Sequence, residues 1–250
     1  MIELELQSFT ARDAVPLVWR ETGDGRPLVL LHGLFSSATV NWIKYGHAAT
    51  LAEAGHRVIM PDLRAHGDSG KPHDPNHYPP DVLVNDLGDL VRHLGLEDYD
   101  LGGFSLGART CARAVIAGMR PRRLILGGMG LEGLCEWRRR SSFFREAIDA
   151  FDSAQRGDAT WMAIQFMKTM KVDRVAAGHL LNSFTDTDPA LLEQITMPTL
   201  VVSGEQDEDN GSAEALVAAL SDATLRSIPG NHMSSVTGAG LGRAMLDFLR

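Results

Sequence analysis

Unbroken apolar runs recur along this chain with helix-length stretches between them: PLVLLHGL (27–34), HRVIMPD (56–62), DYDLGGF (98–104), RRLILGG (122–128) and MPTLVVSG (197–204). Runs this short, lacking an alternating polar face, suit strands covered on both sides. Helices are predicted over 40–54, closed by Gly55, and over 81–94, with Val84, Leu87, Leu90, Val91 and Leu94 on one face. Further helices are predicted over 106–118, 212–220 and 238–249, and a last strand over 224–229. Two opening strands with a period of two, 2–9 and 15–20, meet near Arg12-Asp13. The pattern requires right-handed crossovers and an α/β architecture, a mainly parallel central sheet flanked by helices. In such sheets ligands bind beyond the carboxyl ends of the strands, so site residues must follow strands directly.

At 250 residues with no Ser/Gly/Pro-rich or charge-block linker, one domain with a substantial core is expected. A net charge of -8 without a basic stripe argues against nucleic acid, and Arg138-Arg139-Arg140 reads as a solvated helix face. Cys111 and Cys135 lack metal-type spacing and are expected as free thiols. MIELELQSFTARDAV alternates apolar and charged residues, unlike a secretory leader, and no run approaches the roughly 18 apolar residues of a membrane span. A cytoplasmic protein with neither nucleic-acid nor membrane partners is expected; oligomeric state is not legible.

In LGGFSLGART (101–110), Gly103-Phe104-Ser105-Leu106-Gly107 fits the Gly-x-Ser-x-Gly nucleophile elbow, in which a strand turns sharply into a helix and presents a serine. The plainer alternative is a turn serine capping that helix. A serine hydroxyl needs a base, and among nine histidines His232, in SIPGNHMSS after the last strand, is best placed. His66, His73 and His77 follow the strand at 56–62 and read as surface polar residues able to border a pocket; His47, His56, His93 and His179 read as helix or helix-end residues. An imidazole acting as base needs a carboxylate, and SGEQDED offers Asp207, three residues past Gly204, with Asp209 as substitute and Glu132 as outsider. Glu205 and Glu208 read as solvated. No His-Glu-x-x-His or comparable spacing points to a catalytic metal.

The chain order Ser105, Asp207, His232 resembles that of the α/β-hydrolase superfamily, and the likeness spans nearly the whole chain apart from a divergent insert. LLHGLFSS (30–37) is similar to the family's His-Gly loop, and the resemblance implies an oxyanion hole made by the backbone N–H groups of Leu34 and Leu106. PDLRAHGDSG (61–70) is similar to the family's Asp-x-Arg-Gly-His-Gly-x-Ser turn, with Ala65 where Gly is usual, and reads as scaffolding.

The resemblance divides the chain into a hydrolase core, 1–130 and 189–250, and a helical cap, 131–188, inserted after the sixth strand, with helices at roughly 136–155, 158–170 and 172–183. The cap is rich in aromatics and methionines, so Trp137, Phe144, Trp161, Met162 and Phe166, with Phe35 from the His-Gly loop and Met233 beside His232, are candidate pocket residues; the plainer reading of the cap side chains is packing. The implied activity is that of a serine hydrolase cleaving small to medium apolar carboxylic esters through an acyl-enzyme, with no cofactor or metal. Ser105 argues against dehalogenases and epoxide hydrolases, which carry Asp at the elbow. The rivals are a lactonase, a carbon–carbon bond hydrolase or a cofactor-free perhydrolase. Arg138–Arg140 would suit a carboxylated substrate of the carbon–carbon bond hydrolase, while Met233 beside His232 is not the aromatic expected there. A ligand-binding protein that keeps the fold without turnover is the alternative from another class.

Overall fold

The computed structural model describes residues 4–250, so the start of the strand expected over 2–9 lies outside the described residues. Eight strands form one sheet in the order β1-β2-β4-β3-β5-β6-β7-β8. They are β1 (Gln7–Thr10), β2 (Pro16–Thr22), β3 (Arg26–Leu31), β4 (His56–Asp62), β5 (Asp100–Phe104), β6 (Leu124–Gly127), β7 (Thr199–Gly204) and β8 (Ala223–Ile228). β2 pairs antiparallel with β1 and β4, and every other pairing is parallel.

β3 shows why the runs are unbroken. Leu28 and Leu30 face one apolar cluster, Val29 and Leu31 the other, and all four are fully buried. Each such side chain contributes about 2 kcal/mol of transfer free energy. Helices α1 (His47–Glu53) and α10 (Gly240–Leu249) cover the first face, while α2 (Val82–His93), α3 (Leu106–Ile116) and α8 (Ala213–Ala219) cover the second. The helix expected over 40–54 is broken: an irregular turn spans Thr39–Ile43, and Gly46, at φ +81°, restarts the chain as α1.

Between β6 and β7 the chain forms α4 (Leu131–Cys135), α5 (Trp137–Asp149), α6 (Trp161–Thr169) and α7 (Arg174–Asn182). α4 stays with the sheet layer, where the Leu131 N–H donates to Ser212 O. α5, α6 and α7 share a small apolar cluster of Ala147, Ile164, Met167 and Ala177, which Phe35 joins from the β3 loop. The remaining helix, α9 (His232–Ser235), is a single turn after β8. Among the described residues no helix is long and apolar enough to cross a membrane.

Candidate active site

Ser105 stands between β5 and α3 with φ +53° and ψ −113°, a backbone state sparsely populated by L-residues. Its N–H donates to Gly127 O at 2.8 Å and its carbonyl accepts from Arg109 N at 2.9 Å, so sheet and helix hold the turn from both sides. The flanking glycines are needed for close approach: a Cβ at Gly103 would lie 2.3 Å from Gly107 C, and one at Gly107 would lie 2.1 Å from Leu31 O. The second contact also presses the 32–34 loop against the start of α3.

That loop is fixed by two buried histidines. His32 Nε2 accepts from Leu63 N and His66 Nε2 accepts from Phe35 N, both at 2.9 Å. Their Nδ1 atoms lie 2.8 and 2.9 Å from the carbonyls of Gly33 and Arg64. A carbonyl only accepts, so both rings are neutral with the proton on Nδ1. Burial enforces this, lowering His32 below its ordinary value and pushing His66 down to about 3. His66 is therefore no surface residue: its ring completes the loop after β3. The Phe35 N–H is occupied, whereas among the described residues the Leu34 and Leu106 N–H groups have no protein acceptor and border the same cleft as Ser105.

The turn after β4 uses its polar residues structurally. Asp62 accepts from Ala38 N at 2.8 Å and Asp68 N at 2.9 Å, and Ser69 Oγ donates to Asp62 O at 2.6 Å. Arg64 forms ion pairs with Asp13 and Asp86 at 2.5 and 2.7 Å. Ala65 sits at φ +67°, which explains why glycine is usual there. His73 and His77 pair with Asp173 and Asp13, in the polar roles expected of them. His47, by contrast, is buried, its Nε2 2.6 Å from Val236 O.

Asp207 and His232 arrive from two loops pinned together. A Cβ at Gly204 would meet Gly230 O at 2.3 Å, and Gln206 N donates to that carbonyl at 3.0 Å. Asn231 caps α9, accepting from Met233 N and Ser234 N while Ser234 Oγ accepts from Asn231 N at 2.9 Å. This orients His232, whose Nδ1 lies 2.9 and 3.0 Å from the two Asp207 oxygens. A carboxylate accepts, so Nδ1 carries the proton and the Nε2 lone pair is free. The imidazole lies against Phe104, the residue before Ser105, with ring centroids 5.0 Å apart. No hydrogen bond joins Ser105 Oγ to His232 here; the hydroxyl's side-chain contact is Asn210 Nδ2 at 3.5 Å. The two substitute acids are engaged elsewhere or exposed: Glu132 accepts from Ser212 N at 2.8 Å, and Asp209 faces solvent.

The cleft over Ser105 is walled by Leu34, Leu106, Met129, Trp137 and Phe144 and encloses only about 20 Å³. Of the other expected pocket residues, Met162 and Met233 are surface residues, 76% and 55% exposed. Phe35 and Phe166 pack into the small cluster of the insert, and Trp161 opens α6 outside the cleft. Periodicity explains these corrections. Trp137, Arg140 and Phe144 share the α5 face turned to the cleft, while the hydrophobic face of α6 is consumed by packing. Sequence reasoning missed Arg109 and Asn210, and weighed Arg140 only as part of the Arg138–Arg140 run; all three line the cleft. Arg138 and Arg139 are solvated as expected, but Arg140 turns inward to donate to Asn210 Oδ1. Arg109 lies one turn beyond Ser105 on α3, a spacing that could have revealed it.

The sheet order, the elbow and the loops around it define the α/β-hydrolase fold, and a family model described as "alpha/beta hydrolase fold" matches residues 26–123. The chain thus has the α/β-hydrolase fold, and its likeness to that family in sequence is carried by this N-terminal stretch. It is 28% identical over 276 aligned positions to a non-heme haloperoxidase of Rhodococcus erythropolis, covering 96% of this chain and 98% of the relative. A hydrolase from Pseudomonas aeruginosa PA01 superposes with a TM-score of 0.76 at 22% identity, covering 98% of both chains. The enol-lactonase from Burkholderia xenovorans LB400 gives 0.74 at 21%, covering 97% of this chain and 99% of that one.

Proposed function

We propose that this protein is a serine hydrolase that cleaves carboxylic esters through an acyl-enzyme. The observation that carries the reading is the Asp207–His232 pair, with its free Nε2 and its ring packed against the residue preceding a strained serine. Ser105 Oγ attacks the ester carbonyl carbon as His232 Nε2 takes the hydroxyl proton, and Asp207 balances the imidazolium. The carbonyl oxygen becomes an oxyanion received by the unoccupied N–H groups of Leu34 and Leu106. Collapse breaks the ester C–O bond, and His232 returns the proton to the leaving alcohol. Water then attacks the acyl-enzyme, its proton passing to His232 and on to Ser105 as the acid departs. The helical insert serves as the cap, with Trp137 and Phe144 closing the cleft over the acyl group.

Fluorophosphonate labelling tests this directly. Wild type is expected to label and Ser105→Ala to stay blank; an unlabelled, well-folded wild type would leave a binding protein as the better account. A panel of esters, lactones and a ring-cleavage dienoate assigns the bond cleaved.

The name of the Rhodococcus relative, matched along nearly its whole length, favours one second reading. In a perhydrolase, hydrogen peroxide replaces water in the attack on the same acyl-enzyme and releases a peracid. Peroxide-dependent bromination of monochlorodimedone, measured with acetate present and then absent, tests it.

A further inference from the structure

Two guanidinium groups line the cleft beside Ser105 without a carboxylate partner. Arg109 is 3% exposed and its Nε has no hydrogen-bond partner. An Nη donates to Thr185 O, and the guanidinium lies over the rings of Trp137 and Phe184 at 5.8 and 5.2 Å. The acids nearest it are already engaged: Asp81 is held through both oxygens by Arg113 at 2.5 Å, and Asp186 accepts from Arg138 N. Burial, with a smaller effect from neighbouring Arg113, pushes the Arg109 guanidinium down to about 10. Arg140 is also brought below its ordinary value by burial. Its hydrogen bond is to the Asn210 carbonyl oxygen rather than to an acid; Asp207 is committed to His232, and Asp209, which faces solvent, acts on Arg140 only through space without an ion pair.

A desolvated cation without an ion-paired carboxylate is costly in a folded protein. Packing alone would be served as well by a neutral side chain. The arrangement becomes favourable once an anion enters, because a guanidinium supplies planar paired donors that match a carboxylate. The positions also set a length. Ser105, Arg109 and Arg140 line one small cleft, so the reacting carbonyl and the charge received beside it are a short chain apart.

We infer that the cleft takes a small ester bearing a second, free carboxylate, whose charge is received by Arg109 and Arg140 while its ester carbonyl lies against Ser105. This rests on the serine-hydrolase reading and narrows the substrate from apolar esters to half-esters of short dicarboxylic acids. Asn210 links the two ends of the cleft, contacting Ser105 Oγ through its amide nitrogen and Arg140 through its oxygen.

Binding can be tested apart from turnover by calorimetry on the Ser105→Ala protein. The ligands are monoethyl succinate and ethyl levulinate, its neutral counterpart with a methyl group in place of one carboxylate oxygen. Monoethyl succinate is expected to bind about tenfold to a hundredfold more tightly. That preference should collapse when Arg109→Gln or Arg140→Gln is added. Both replacements are made because the buried Arg109 also supports Thr185, and a misfolded Arg109 variant would leave Arg140→Gln to decide. Equal affinities, no measurable binding of monoethyl succinate, or a preference that survives the Arg140 replacement would overturn the inference. Fluorophosphonate labelling of wild type reports separately on the catalytic reading, so failure of one is distinguishable from failure of the other.

Discussion

The Cα of Gly107 lies so close to Leu31 that a side chain there would strike the Leu31 carbonyl oxygen at 2.1 Å. Neither partner is a flexible side-chain end, so backbone must move. Gly107→Ala is expected to destabilise the protein by about 3 kcal/mol, lowering Tm by about 6–12 °C, and to impair Ser105 labelling as well. Gly178, inside α7 with open space around it, gives the opposite expectation. Gly178→Ala should stabilise by about 0.5–1 kcal/mol through helix propensity. Thermal melts of the two variants check both signs.

Asp207→Asn keeps the size of the side chain but removes the charge and lets the amide donate to His232. The wrong tautomer, with the proton on Nε2, then faces Ser105. A loss of about 10³–10⁴-fold in kcat is expected with KM little changed, measured on any ester the wild type cleaves. A loss smaller than tenfold would show that the imidazole is oriented by something else.

Acid should unfold the protein earlier than its carboxylates alone require. His66 is held down at about 3 by burial, against 6.5 in an unfolded chain, and His32 and His47 are shifted in the same direction. Below pH 6.5 the unfolded chain takes up protons that the native state refuses, so stability falls as pH falls and is flat above about pH 7. Each such histidine steepens the decline by up to about 1.4 kcal/mol per pH unit. Urea midpoints at pH 7, 6 and 5 measure the slope. His66→Gln is expected to make it shallower while lowering stability at pH 7, since a flexible amide replaces the buried ring that fixes the Phe35 N–H.

Two methionines of the same helix separate surface from packing. Met162 is 76% exposed and Met167 fully buried in the cluster shared by α5, α6 and α7. Met162→Ala should change stability by no more than about 0.5 kcal/mol, and Met167→Ala should cost about 2–5 kcal/mol. Chemical denaturation of each variant provides the comparison.

The parallel strands were legible because burial on both faces leaves its mark directly in the residues, as Leu28 to Leu31 show. The order of strands was not, since nothing in the β4 run says that it inserts between β2 and β3. The positions of Ser105, Asp207 and His232 just past strand ends were legible because each follows an apolar run closely. The walls of the cleft were harder. Reading apolarity as proximity to substrate selected Met162 and Met233, which face solvent, and treated Arg140 as one of a solvated triplet. A helix turns 100° per residue, so three consecutive arginines cannot share one environment, and the third points inward. The buried role of His66 was hidden for a related reason: its partner is a backbone N–H 31 positions away.

Phe35 belongs at once to the loop that carries the Leu34 amide and to the small apolar cluster of α5, α6 and α7, where it meets Phe144 edge-on at 6.0 Å. Phe144 is also a wall of the cleft over Ser105, so a molecule that enters there and displaces it acts on Phe35. Displaced walls pull on Phe35 or lose contact with it. Filling the cleft and shifting the Leu34 amide are therefore mechanically linked, through a single benzyl side chain.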